Sequence, residues 1–360
     1  MKKRLFQILQ FLLFLGIGVG ILYLVYRHQN AAFLNDCQQR GIPPENCNLL
    51  QKLLSDFAHA DFGWIALVLV AFVISNVNRS IKWLMLLRPL GYSPRFRNAF
   101  LSILVGYFAN LGLPRMGEVV RAGILARYEH IPAQKVMGTI VTDRLVDLVC
   151  MALSLGLALL FEFEKIRDYF GSGWQELTAG ANSRSTWLII VALVAVPAAL
   201  VYTFRHQLKR TTLYQRLLSL LYGFYEGIMS IRKVERPGWF IFHSLSIWVL
   251  YFVMTWLGFK AFEPTSHLGI GAALTVFVFG TLGMVIPSPG GLGTFHALVI
   301  AALTLFYDVR GDDAFSVANI IFFSISIGFN ALLGIMALLI LPIVNRNYQP
   351  THLTHQSHMP

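Results

Sequence analysis

Between Val105 and Asp147 the chain reads VGYFANLGLPRMGEVVRAGILARYEHIPAQKVMGTIVTDRLVD. Arg115, Glu118, Arg121, Asp143, Arg144 and Asp147 stand there among residues apolar enough for a membrane interior, and Arg79 lies in the apolar segment before them. An ionisable side chain at bilayer depth costs about 2.5–3.5 kcal/mol on insertion scales, so these residues mark a substrate-binding site by default. Arg115 and Arg121 suit a phosphate. Asp143 and Asp147 are one helical turn apart, with Arg144 within i, i+3 reach of Asp147, and form a second polar cluster on the same cavity. The competing reading of that cluster is a buried ion-pair network that only fixes helix register. Arg79 either faces the cavity or snorkels to the inner interface, and Lys82 snorkels.

Other chemistry has little support. No catalytic residues, metal site or cofactor are expected, because neither metal-ligand spacing nor a nucleophile and base pair occurs. The PGGLG run lacks the Lys-Ser/Thr ending of a phosphate-binding loop. His296 could respond to pH, but a lone histidine in such a setting is more often a hydrogen-bonded core residue. A net charge of +11 raises the question of nucleic acid. Most basic residues, however, flank apolar runs rather than forming one basic face, so no nucleic-acid partner is expected and the charge reads as membrane topology.

These residues must be held by membrane helices. The 360 residues are 56% hydrophobic and 13% charged, far from the roughly 25% charged of soluble proteins. Lys2, Lys3 and Arg4 hold the start of a first span, 5–26, in the cytoplasm. The loop from Arg27 to Asp61 then lies outside, where Cys37 and Cys47 meet an oxidising compartment and can bridge. Within it Asn48 and Gln51 resemble a helix-capping pair before Leu50, Leu53, Leu54 and Phe57. A span over 62–87 returns inward. The next apolar piece, 99–113, is short for the roughly 20 residues a crossing needs, and Pro114 and Gly117 break it before a second piece at 118–128. This predicts a re-entrant hairpin, 99–129, whose tip lines a water-filled cavity. Further spans are predicted at 134–161 and 186–204. An amphipathic helix on the inner leaflet follows, marked by Leu213, Leu217, Leu220, Leu221, Phe224 and Ile228. A span at 239–259, a second broken pair at 268–306 and a last span at 314–341 complete the order, with a cytoplasmic tail at 342–360.

The two broken pairs suggest an internal repeat. LPRMGE at 113–118 lines up with IPSPGG at 286–291, and the flanking spans match in order. The odd crossing at 186–204 between repeat A (62–161) and repeat B (239–341) inverts the second copy. The expected fold is therefore all-α and integral to the membrane. It has about six full transmembrane helices plus two re-entrant hairpins, alternatively eight spans, with both termini inside. Pro287, Pro289, Gly290, Gly291 and Gly293 shape the second tip. In each hairpin the second arm begins with a positive helix N-terminus, near Glu118 and Gly291, which favours an anion. Glycines 16, 18 and 20 permit close helix contact and hence a homodimer.

The runs PRMGEVVRAGIL, TDRLVDL and PSPGGLGTFH resemble the transmembrane, flippase-like domain of bacterial lysylphosphatidylglycerol synthases and its stand-alone relatives, over about Phe62 to Leu341. The resemblance implies a translocator in the bacterial cytoplasmic membrane. It would move a phospholipid or polyprenyl-linked headgroup between leaflets through two re-entrant hairpins, and the motif carried over implies that Glu118 holds Arg115 or Arg121 or meets a cationic headgroup. The aminoacyl-transfer domain of the synthases is not expected, so the chain reads as a non-enzyme. The rival reading is a membrane enzyme acting on a lipid-linked sugar or phosphate, with Glu118, Asp143 or Asp147 as acid or base.

Overall fold

A computed structural model describes residues 2–39, 43, 47–112, 116–162, 234–286, 288 and 291–350, and every regular element in them is helical. The expected outer loop at 162–185, the crossing at 186–204, the amphipathic helix within 205–233 and the tail from 351 lie outside the described residues. Four described helices are long and apolar enough to cross a membrane: Phe62–Leu90, Ala133–Phe161, Pro237–Lys260 and Gly311–Val344.

The helices are α1 Lys2–Gln39, α2 Leu49–His59, α3 Phe62–Leu87, α4 Phe96–Gly112, α5 Met116–Glu129 and α6 Ala133–Phe161. After the undescribed stretch come α7 Pro237–Lys260, α8 Ile270–Val285, α9 Thr294–Tyr307, α10 Gly311–Phe322 and α11 Asn330–Val344. The turns of Phe323–Phe329 between α10 and α11 are π-helical. Local signals set several starts. Asn48 caps α2 by accepting from Leu50 N and Gln51 N, at 3.0 and 3.2 Å, and Asp61 caps α3 by accepting from Gly63 N at 2.8 Å. Pro237 opens α7, where its missing N–H costs nothing.

One expectation needs correction. The predicted outer loop does not begin at Arg27, because α1 continues to Gln39. At 1.5 Å per residue its 38 residues reach about 57 Å, well past a hydrocarbon core of about 30 Å. The chain then turns back, and Cys37 and Cys47 form a disulfide with their Cα atoms 6.3 Å apart.

The same order of elements occurs twice: a long helix, two short helices folded on one another, and a long helix. Contacts follow that correspondence. The first long helices, α3 and α7, pack extensively, α4 packs on the last helix α11, and α8 packs on α6. The directions of α3 and α7 are opposed, for Asp61 N at the start of α3 donates to Ala261 O past the end of α7 at 2.9 Å. Further along, Asn78 Oδ1 meets His243 Nδ1 at 2.5 Å. The open ends of the α4–α5 pair lie with the end of α11, where Asn98 and Asn345 bond reciprocally at 2.9 and 2.7 Å. At the other end of the molecule α2 meets α10, Lys52 pairing with Asp313 at 2.8 Å.

Buried apolar clusters lie between these elements. One joins Trp83, Leu87, Ala99, Ile103, Leu125 and Ile140 around the α4–α5 pair. Another joins Leu49, Phe259, Val299, Leu303 and Phe315 around α8–α10. Facing outward are Leu67, Val70 and Ile74 on α3, Leu148 and Leu155 on α6, and Leu332, Ile335 and Leu339 on α11. Apolar faces of that extent fit lipid rather than water.

Candidate functional site

Charge gathers where α3, α5 and α6 meet. Arg79 and Lys82 are one turn apart on α3, and Asp143 and Asp147 one turn apart on α6, so two cations oppose two carboxylates. Lys82 Nζ lies 2.6 Å from Asp143 Oδ1 and 3.1 Å from Asp147 Oδ1. Arg79 Nη1 donates to Asp143 Oδ2 and Asp147 Oδ2, both at 3.1 Å. From α5, Arg121 Nη2 donates to Asp143 Oδ2 at 3.4 Å, and its guanidinium lies over the Trp83 ring at 5.2 Å. Arg144 follows Asp143 by one residue, about 100° around the helix, so it turns from α3 to α5. Its Nε lies 2.6 Å from Glu118 Oε1 and its Nη1 3.2 Å from Asp147 Oδ2.

The cluster is graded in exposure. The side chains of Arg79, Lys82, Arg121, Asp143 and Asp147 are at most 9% exposed, whereas Arg144 and Glu118 are 40% and 37% exposed. Four cations face three carboxylates, an excess of one positive charge among the described residues. Arg79 Nε and Arg121 Nε, though buried, have no hydrogen-bond partner among them. A buried guanidinium donor without an acceptor is costly, and an arriving oxyanion would supply one.

Several expectations meet the structure here. Arg79, Glu118, Arg121, Asp143, Arg144 and Asp147 come together as one cluster rather than two. Arg115 and Pro114 lie outside the described residues, as do Pro287, Pro289 and Gly290. Among the described residues Glu118 holds Arg144 rather than Arg121. Lys82 does not snorkel: it is fully buried between two carboxylates. The charges, expected around a water-filled cavity, pair directly at 2.6–3.4 Å. The signal for Lys82 was its place one helical turn from Arg79, as Asp147 lies one turn from Asp143. Tyr251, which accepts from Arg79 Nη2 at 3.2 Å, gave no signal within an aromatic-rich span. Its hydroxyl lies 3.4 Å from that of Tyr107 on α4, which ties the cluster to α7 and to the first arm.

Glycine sets how closely the arms approach. A Cβ on Gly106 would meet Gly117 O at 2.8 Å, and one on Gly117 would strike the Gly106 carbonyl, so the arms touch backbone to backbone. Gly117 N donates to Asn110 Oδ1 at 2.7 Å, closing the turn. In the second pair a Cβ on Gly283 would meet Thr294 O at 2.8 Å. Gly291 and Gly293 have φ of 85° and 82°, which glycine alone adopts without strain. Thr294 Oγ1 donates to Gly283 O at 2.7 Å and lies 3.0 Å from Ser288 Oγ. His296 is fully buried 4.6 Å from the Phe322 ring. Among the described residues no group of three His, Cys, Asp or Glu could hold a metal ion.

Comparison with known proteins assigns the chain to a membrane-protein family. A family described as the lysylphosphatidylglycerol synthase TM region matches residues 49–346. A UPF0104 membrane protein of Methanocaldococcus jannaschii is 24% identical over 283 residues, covering 71% of this chain and 79% of the relative. Another, from Methanothermobacter thermautotrophicus, is 24% identical over 276 residues, covering 70% and 77%. Both organisms are archaea. No solved structure matches the chain.

Proposed function

The chain belongs to the lysylphosphatidylglycerol synthase transmembrane family, and from that premise we propose that it translocates a lipid with an anionic phosphate headgroup between the leaflets of a membrane. The observation that carries the reading is the buried cluster of α3, α5 and α6, whose four cations exceed its three carboxylates. A net cation at that depth is stabilised by an anion, and a phosphate can take the free donors of Arg79 and Arg121 while the acyl chains stay in the bilayer.

In this reading α4–α5 and α8–α9 are re-entrant hairpins of an inverted repeat, α4–α5 opening to the cytoplasm and α8–α9 to the outside. The opposed directions of α3 and α7 support it, as does the placement of the two pairs' open ends at opposite ends of the molecule. Inverted repeats with paired broken helices place the substrate at the repeat interface in many transporters. The cytoplasmic membrane of a bacterium remains the proposed location. Translocation without bond chemistry is favoured over an enzyme because all four oxygens of Asp143 and Asp147 are engaged by cations, leaving neither free to act as a base.

The test is reconstitution into vesicles carrying a fluorescent phosphatidylglycerol, with dithionite quenching to read its exposure. Wild-type protein is expected to move the lipid, and Arg121→Gln or Arg115→Gln to abolish movement while expression is retained. Wild-type rates in both variants would reject the assignment.

A further inference from the structure

The Glu118–Arg144 pair differs from the rest of the cluster in a way that bears on how an anion gets in. The inner pairs are at most 9% exposed, and opening one strands a charge. The Glu118–Arg144 pair is more than a third exposed on both sides, and an ion pair so placed is weak enough to exchange. Arg144 keeps its place in such an exchange because its Nη1 stays on Asp147 at 3.2 Å. Glu118 also lies in the first turn of α5, at the positive end of a 14-residue helix. One turn further along the same helix, Arg121 is 4% exposed with its Nε unbonded among the described residues. A carboxylate of the chain thus occupies the place where an arriving oxyanion would meet one guanidinium at the rim and another just inside.

We propose that Glu118 is an internal stand-in for the headgroup phosphate: the incoming anion displaces it from Arg144, and loss of that pair loosens the start of α5 from α6. The inference rests on the reading of the cluster as a headgroup site. It explains how an anion reaches a cluster whose carboxylates are already paired, since only the rim pair has to open. It also confines the motion. At the far end of α5, about 16 Å away at 1.5 Å per residue, Glu129 is fully buried. Its carboxylate accepts from Asn98 Nδ2 at 2.6 Å, Arg95 N at 3.0 Å and Tyr348 OH at 2.8 Å. The base of the arm is fastened, while among the described residues the start of α5 is held to α6 by the exchangeable Glu118–Arg144 pair and, one turn on, by the longer Arg121–Asp143 contact at 3.4 Å, so the arm loosens from its start.

Calorimetric titration of the detergent-solubilised full chain with dihexanoyl phosphatidylglycerol, and separately with inorganic phosphate, tests this. Glu118→Gln removes the competitor and is expected to bind the short lipid about two- to fivefold tighter than wild type, within the range of an exposed pair. Arg144→Gln is expected to bind it more weakly than wild type. Arg144→Lys, which keeps the charge, should fall between, and a thermal melt of each variant reports folding. Binding by wild type with no tightening in folded Glu118→Gln would overturn the stand-in and leave the headgroup site standing. Absence of lipid binding in both folded proteins would overturn the headgroup site itself. Tightening for inorganic phosphate alone would keep the stand-in and overturn the lipid as its ligand.

Discussion

Hairpins α4–α5 and α8–α9 share a construction and differ in chemistry. Each folds two short helices together across a glycine, Gly117 against Gly106 in one and Gly283 against the Thr294 carbonyl in the other. Each packs its first arm on the last long helix of the opposite half. Yet the first carries Glu118 and Arg121 into a buried cluster with residues of α3 and α6, while the second has no Asp, Glu, Lys or Arg from Leu268 to Phe306. Its turn is held by hydroxyls, with Thr294 on Gly283 O and beside Ser288. Backbone geometry is common to the two halves, and the capacity to hold a charged group belongs to one. A transporter site divided this way would use the first hairpin for recognition and the second as an apolar counterpart.

The sharpest way to break that contrast is to remove one buried group from each side. Asp143→Ala takes from Arg121 its carboxylate among the described residues and leaves Arg79 and Lys82 to share Asp147, and should destabilise by about 3–5 kcal/mol. Thr294→Val, which removes a buried neutral hydroxyl, should cost about 1–3 kcal/mol. Thermal unfolding in detergent measures both, and equal losses would mean that the charges are no more structural than a hydroxyl. Shared construction makes the next prediction. Gly117→Ala and Gly283→Ala both drive a methyl into a backbone carbonyl, so each should cost about 1–3 kcal/mol by the same measurement. A neutral result at either position would show that its two arms can separate.

The smallest effect concerns pH at the two ends. Burial, and then the hydrogen bond to Glu129, pushes the Tyr348 phenol from 10.0 up to about 12. The folded chain then keeps a proton that the unfolded chain releases, so this stabilisation is complete below pH 10 and is lost as pH rises toward 12. Burial alone would lower Lys52, but its hydrogen bonds to Asp313 and Asp56 outweigh that and raise it above 10.5. Its contribution is likewise present below 10.5 and fades as pH passes the raised value. Tyr348→Phe should therefore reduce the alkaline loss of amide protection around α5 and α11 and leave that around α2 and α10 unchanged, read by hydrogen exchange between pH 10 and 12.

Much of the helical order was legible because its signals are local. The expected 62–87 is α3 to the residue, and 134–161 and 239–259 each fall within two residues of α6 and α7. Proline and glycine punctuated both broken pairs. The continuation of α1 to Gln39 was missed because HQNAAFLNDCQQ is polar, and hydropathy reports where lipid ends rather than where a helix does. Of the site, the residues at α5 and α6 were legible from charge in an apolar setting. The pairing was not. Lys82 near a helix end satisfies a snorkelling rule and a buried pairing equally well, and only the approach of α3 to α6 decides between them. Glu118 could have held any nearby arginine, and the helical angle of Arg144 gave it that partner.

The central claim is that the two hairpins open to opposite faces of the membrane, with charge on one alone. It is tested most directly by single-cysteine labelling in sealed vesicles, in a background with Cys37, Cys47 and Cys150 replaced by serine. Arg95→Cys at the base of α4–α5 and His267→Cys before α8 are the two sites. A membrane-impermeant maleimide is predicted to reach Arg95→Cys from the cytoplasmic face only and His267→Cys from the outer face only. Labelling of both from the same face would contradict the account.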